Sequence, residues 1–307
     1  MSEFLIIFKD VILPVFILMA IGFFLQMKFR LDLSTLAKLN IYFVVPGFIF
    51  VNLYEATFGL DLFGKVLLFF LLLVALLYVI AFILARIIKI NGGKRTTFAN
   101  SVMFFNSGNY GVPVNDLAFR GDPFAMSIQV IMLTLQNIFL FSYGIFSLRA
   151  AKEGKLKAAL GYFKMPVLYA MLSGVLLNAW DVPIPEPIWV SANYIADTMI
   201  ALALITLGAQ VAKMQFKKGL ISVYISVLVR LIGGPLIALG IIFAFQLEGV
   251  MAQALFIASA MPTSVNSAVI AEEYKSHPDF AAQTVLFSTV ASMVTVTAVV
   301  YVAQVIF

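Results

Sequence analysis

The sequence predicts an all-α polytopic membrane protein: ten transmembrane helices as two inverted five-helix repeats, with helices 4 and 9 broken and crossed. Three observations carry that expectation. Of 307 residues, 63% are hydrophobic and 11% charged, less than half the charged share of a soluble domain, and the mean hydropathy is +1.04. The apolar residues gather into runs of about 20, the length that crosses a bilayer as a helix. A set of prolines and glycines in the first half recurs in the second. A soluble domain of this size could not bury so much apolar surface, and a disordered chain has the opposite composition.

The apolar runs fall at roughly 4–27, 34–54, 62–88, 96–120, 124–148, 160–180, 187–211, 219–246, 250–273 and 280–306. The first begins at Phe4 with no basic stretch before it, so it reads as a span and not as a cleaved leader. Polar connections separate the runs. Gly92-Gly93-Lys94-Arg95 is one, and the stretch from Asp181 through Pro183, Pro185 and Pro187 is another, whose prolines end a helix. The longest basic connection runs from Arg149 to Lys164. Ten spans use roughly 200 residues and leave none for a soluble domain.

Charge sets the expected orientation. If the spans alternate, sixteen of the twenty Lys and Arg fall on one face, three (Lys9, Lys65, Arg120) on the other, and Arg230 inside segment 8. Basic loops stay cytoplasmic, so both termini are expected outside the cell membrane, in a multi-pass protein. The net charge of +5 belongs to these loops and points to lipid, not nucleic acid. With no cysteine, disulfides and thiol chemistry are excluded. The single histidine, His277, argues against a histidine metal site and reads as a loop residue.

The repeat is visible in residues. Pro14, Val15, Met19 and Gly22 return as Pro166, Val167, Met171 and Gly174, an offset of 152, and Pro113 and Pro262 differ by 149. The halves are then 1–152 and 153–307. Five helices is an odd number, so the second half inserts upside down, a pattern of alternating-access transporters.

Two segments carry the candidate chemistry. Segment 4 contains Asn106-Ser-Gly-Asn-Tyr-Gly-Val-Pro-Val-Asn115, and segment 9 contains Ala260-Met-Pro-Thr-Ser-Val-Asn266. Gly108, Gly111, Pro113 and Pro262 interrupt a regular helix. Matching interruptions in two halves mark a transporter's binding site. The helix starts beyond them bring partial positive charge and free N–H groups to mid-membrane, which suits an anion without a buried lysine. The expected substrate-binding residues are Asn106, Asn109, Tyr110, Gly111, Pro113 and Asn115 in segment 4, and Pro262, Thr263, Ser264 and Asn266 in segment 9. The carbonyls ending the first half-helices could hold a cation. The competing reading is that the prolines are kinks and the amides join helices.

The runs Asn106-Ser-Gly-Asn-Tyr-Gly-Val-Pro113 and Met261-Pro-Thr-Ser-Val-Asn-Ser267, followed by Ala271-Glu-Glu-Tyr274, resemble the auxin efflux carrier family, which includes plant auxin exporters and bacterial malate or malonate permeases, in a superfamily with the bile-acid sodium symporters. The resemblance covers the whole chain. It implies a scaffold of helices 1, 2, 6 and 7, a transport unit of helices 3–5 and 8–10, crossed helices 4 and 9, and homodimers through the scaffold. The short connection between the halves resembles the bacterial members, so a small carboxylate such as malate or malonate is expected in place of auxin.

Other polar residues within the runs need separate readings. Gln136 and Asn137 in segment 5 either face the crossing and touch substrate or join helices. Pro46 kinks segment 2 beside the pathway or is a plain kink. Arg230 is read first as an ion pair with Asp197 of segment 7, with snorkelling or attraction of an anionic substrate as the other readings. Asp116 and Arg120 have the i, i+4 spacing of a helical ion pair. Glu272 and Glu273 read as solvated, although related symporters use a glutamate in this helix. No catalytic constellation, metal set or cofactor is expected, and coupling to Na⁺, H⁺ or membrane potential stays open. The function expected is secondary transport of a small organic anion. The alternative is a ligand-binding membrane receptor or regulator that moves nothing. An intramembrane enzyme and a channel fit less well.

Overall fold

The computed structural model describes residues 3–56, 59–149, 166–214 and 221–307. Among them the chain is helical, and the only extended pairing is an isolated antiparallel bridge between Phe105 and Thr263. Seven helices are long and apolar enough to cross a membrane. They are α1 (Glu3–Phe29), α2 (Leu33–Tyr54), α3 (Asp61–Ile87), α6 (Pro123–Leu148), α8 (Glu186–Lys213), α9 (Ile221–Ala244) and α12 (Pro278–Ile306). Segments 4 and 9 are each two shorter helices. α4 (Gly93–Met103) is followed by α5, a wide turn at Ser107–Gly111 continuing as Val112–Phe119. α10 (Gly249–Ser259) is followed by α11 (Val265–Glu273). Segment 6 is described from its proline onward as α7 (Pro166–Ala179); its first residues, the basic run after Arg149, and Lys217 and Lys218 lie outside the described residues.

Prolines set the local shape of four helices. Wide π-type turns occur at Phe8–Ile12, Asn40–Val44, Ser107–Gly111 and Val229–Gly233. Each ends two residues before a proline: Pro14, Pro46, Pro113 and Pro235. A proline cannot donate to the carbonyl four residues back, and its ring pushes that carbonyl aside. That carbonyl belongs to Asp10, Tyr42, Asn109 or Leu231, the middle of each turn, and widening the turn relieves the clash without ending the helix. Helix starts are capped where the chain enters from a loop. The Asp32 carboxylate accepts from the Ser34 N–H at 3.0 Å and the Thr35 hydroxyl at 2.6 Å. Asp122 accepts from the Ala125 N–H at 2.8 Å, with Pro123 already in the helix.

Helix packing rests on small residues, as it must where lipid removes the hydrophobic drive between helices. α1 and α8 touch backbone to backbone: a Cβ on Gly208 would lie 1.8 Å from the Met19 carbonyl oxygen, and one on Gly22 2.1 Å from that of Ile205. α7 meets α2 in the same way, Gly174 facing the Phe50 carbonyl, where a Cβ would sit 3.0 Å away. Asn178 at the end of α7 also donates to the carbonyls of Tyr54 and Ala56. α3 packs on α4, α6 and α9, and α12 on α4, α9, α10 and α11. Large apolar side chains such as Ile17, Phe24, Leu71, Leu236 and Phe243 remain exposed on the outside, as lipid-facing residues do.

A polar cavity where two helices stop

α4 ends at Met103 because the chain turns extended at Phe104 (φ −89°, ψ 104°). α10 ends at Ser259, and Pro262 has no N–H with which to restart it. The two extended pieces lie against each other. The Asn106 N–H donates to the Pro262 carbonyl at 2.7 Å, and the Ser264 N–H donates to that of Phe104 at 2.8 Å. Thr263 donates its hydroxyl to the Ser101 carbonyl at 2.9 Å, and its N–H donates to the Ser288 hydroxyl at 3.1 Å. Irregular backbone inside a membrane needs protein partners of this kind.

Beyond the interruptions, α5 and α11 begin. No acceptor among the described residues takes the N–H of Gly108, Asn109 or Asn266, as expected of first-turn donors. The turn at Ser107–Gly111 is held by Gln129 of α6, which donates to the Ser107 carbonyl at 2.7 Å and lies 3.0 Å from its hydroxyl. A Cβ on Gly111 would come within 2.6 Å of that amide nitrogen, so any larger residue there would displace the Gln129 side chain from the turn.

The opposite ends of the interruptions are occupied by Arg230. This fully buried side chain donates to the carbonyls of Val102 and Ser259, the last turns of α4 and α10, and lies 5.1 Å over the ring of Phe105. The expected partner Asp197 is exposed and is not bonded to it. Two helix C-termini carry about half a negative charge each, so together they answer one guanidinium, and no carboxylate is needed. The expected Asp116–Arg120 pair is also absent. Arg120 leaves the helix in a left-handed conformation (φ 53°), which breaks the i, i+4 register. An i, i+4 pair forms instead between Asp61 and Lys65, at 2.7 Å on the surface of α3. Glu272, Glu273 and His277 are exposed.

A cavity lies against the two helix starts. It holds about 580 Å³ of empty space out to its mouth. Of the expected site residues, Asn106, Asn109, Gln136, Asn137, Ser264 and Asn266 line it. The other six do not. Tyr110 points into the packing, accepting a hydrogen bond from the Ser292 hydroxyl at 3.0 Å and meeting Phe16 edge-on. Gly111, Pro113, Pro262 and Thr263 shape the backbone behind the wall. Asn115 is buried in α5 away from the cavity, and its amide has no partner. Among the described residues the lining contains no ionisable side chain.

Three lining residues escaped the sequence reading: Asn40 of α2, and Thr206 and Gln210 of α8. Each is a single polar residue in an apolar run, and that was their only signal. Asn40 donates to the Asn109 side-chain oxygen at 3.0 Å, joining α2 to the start of α5. Asn40, Val167 and Gln210 stand near the ends of α2, α7 and α8 that adjoin Lys38, the 150–165 connection and Lys213. The cavity therefore lies on the Lys/Arg-rich side of the interruptions.

A profile of membrane transport proteins matches residues 7–300. The chain belongs to the membrane transport protein family. That is the auxin efflux carrier family, whose members are transporters and not enzymes, and the protein is a multi-pass membrane transporter. An uncharacterized transporter of Methanothermobacter thermautotrophicus is 25% identical over 296 residues, 93% of this chain and 95% of that protein. Auxin efflux carrier component 6 of Arabidopsis thaliana is 30% identical over 135 residues, 42% of this chain. A probable auxin efflux carrier component 5b of Oryza sativa is 30% identical over 135 residues as well. The matched stretches span 24% and 36% of those two plant proteins.

Proposed function

We propose that this transporter moves a small organic carboxylate by alternating access, holding it where the α4/α5 and α10/α11 interruptions meet. The observation that carries this reading is the cavity wall: two helix starts with free N–H groups and amide side chains, and, among the described residues, no ionisable group. Helix N-termini favour negative charge, and fixed dipoles of this kind bind an anion and still release it. A cation channel would need a ring of acidic groups, and the lining has none.

Ten spans in two inverted repeats is the topology we adopt. The exchange of helix contacts supports it. α1 packs on α8 through Gly22, and α7 packs on α2 through Gly174, as a two-fold relation between spans 1 and 6 and between spans 2 and 7 requires. In this reading α1, α2, α7 and α8 form the scaffold and pair in homodimers, and the remaining helices move against them as an elevator. The basic face is cytoplasmic, both termini lie outside the cell membrane, and the cavity faces inward. Arg230 acts as a fixed cation at the carbonyl ends, so coupling runs through H⁺ or membrane potential and not through Na⁺ at that place.

The test is uptake of labelled carboxylates into proteoliposomes with imposed pH, Na⁺ or potential gradients. Saturable uptake that Asn109→Ala and Asn266→Ala each reduce supports the reading. Binding without flux favours a receptor, and unchanged uptake in both variants removes the site assignment.

A further inference from the structure

The cavity has a second wall, on the scaffold side, that the helix starts do not supply. Asn40 of α2 and Thr206 and Gln210 of α8 are exposed by only 3%, 1% and 9%. The last two are four residues apart and share one face of α8. Among the described residues Asn40 Oδ1, Thr206 Oγ1 and Gln210 Oε1 have no hydrogen-bond partner, and neither polar atom of Gln136 on the adjoining α6 has one. Buried polar atoms are nearly always paired, and all four residues line the cavity. The Asn40 amide nitrogen is committed to Asn109, which leaves its oxygen as an unpaired acceptor.

The hydrogen-bonding character of this wall restricts what it can hold. An ionised carboxylate only accepts hydrogen bonds. Against Asn40 Oδ1 and Gln210 Oε1 it would meet further acceptors; the donors on this side are the Thr206 hydroxyl and the Gln136 amide, and no cation lines the cavity among the described residues. A hydroxyl both donates and accepts, so it satisfies a carbonyl oxygen and the threonine together. We propose that the α2–α8 wall is the second half of the substrate site and holds a neutral hydroxyl, so that the preferred substrate is a short hydroxy-monocarboxylate. This rests on the carboxylate-transport reading above. It narrows that reading away from the dianions malonate and malate, which the sequence pointed to.

Lactate and propionate differ by one hydroxyl, and malonate carries a second carboxylate in place of the methyl group of propionate. The experiment measures uptake of these three labelled acids into proteoliposomes of the full chain. Wild type is expected to take up lactate at least about tenfold better than propionate, a modest share of what a site built for a hydroxyl can discriminate, and better than malonate. Thr206→Val removes the hydroxyl at nearly constant shape. It should lower lactate uptake to the propionate level, bringing the lactate-to-propionate ratio to about one, while Thr206→Ser keeps the preference. Gln210→Leu should narrow the lactate advantage too, and decides the matter if Thr206→Val does not fold, as an aggregated size-exclusion profile would reveal. A wild type without lactate preference, or a preference that survives both Thr206→Val and Gln210→Leu, overturns this inference and leaves carboxylate transport standing. Absence of uptake and of binding for all three acids, and for a wider carboxylate panel, overturns both.

Discussion

Replacing Arg230 by methionine tests the junction between the two half-helices. Methionine is nearly as long and apolar, so it fills the space but leaves the Val102 and Ser259 carbonyls without their donor. Hydrogen bonds to a charged group contribute about 1.5–3 kcal/mol each, whereas polar contacts between membrane helices average about 0.6 kcal/mol. Two such bonds therefore contribute on the order of 1–6 kcal/mol. Removing a buried charge also returns desolvation energy. Here that gain is small, because the two helix C-termini already balance the guanidinium, and without it they repel each other. A net loss of about 3 kcal/mol lowers the unfolding midpoint by on the order of 5–10 °C, read by tryptophan fluorescence in detergent. Trp189, packed on Tyr54 at 5.0 Å, reports on the scaffold. Arg230→Lys keeps the charge but not the two-pronged geometry and should fall between. A methionine variant as stable as the wild type would refute the reasoning.

Other outcomes follow from the same structure. Gly208→Val drives a side chain into the Met19 carbonyl and costs at least the 1–3 kcal/mol typical of overpacking, to about that accuracy; size-exclusion profiles should show α1 and α8 separating into an unstable fold, and a normal profile would contradict the contact. Phe105→Cys with Thr263→Cys should form a disulfide, because facing residues of an antiparallel bridge lie about 4.5–5.5 Å apart and the chain has no cysteine of its own; with a protease site engineered between residues 149 and 166, the two halves stay joined on a non-reducing gel unless the interruptions are apart. Replacing Na⁺ by choline should leave uptake unchanged, since Arg230 already holds the carbonyl ends. Hydrogen bonds from Thr35 and Ser34 hold the Asp32 carboxyl below its usual 3.8. The sign follows: the ionised cap stabilises α2 above that value and is lost as pH falls through the lowered one. The stability difference between wild type and Asp32→Asn should therefore shrink in acid, and a constant difference would count against the cap.

That both segments are interrupted was legible because glycines and prolines mark irregular backbone wherever they stand. The place of the first break was not: the chain leaves the helix at Phe104, nine residues before Pro113, which only widens the following turn. The direction each helix faces was not legible. A helix such as α1 is apolar on every side, facing lipid on one and protein on the other, so its periodicity carries no inward mark. Asn40, Thr206 and Gln210 therefore looked like isolated polar residues, and only packing brings them to one wall. Arg230 was misassigned for a related reason: its partners are backbone carbonyls 128 and 29 residues away, and carbonyls leave no trace in side-chain patterns. The Asp116–Arg120 spacing misled because the helix ends within it, at the left-handed Arg120.

Thiol labelling of a single introduced cysteine bears most directly on the central claim, that a carboxylate sits where the two half-helices start. Ala37→Cys, at a lining residue with no part in holding the substrate, puts one thiol on the cavity lining of a chain that otherwise has none. An impermeant maleimide applied from the Lys/Arg-rich side should react with it, and a transported carboxylate should slow that reaction at concentrations that saturate uptake. Labelling at full speed in the presence of such a carboxylate, or labelling only from the opposite side, would contradict the account.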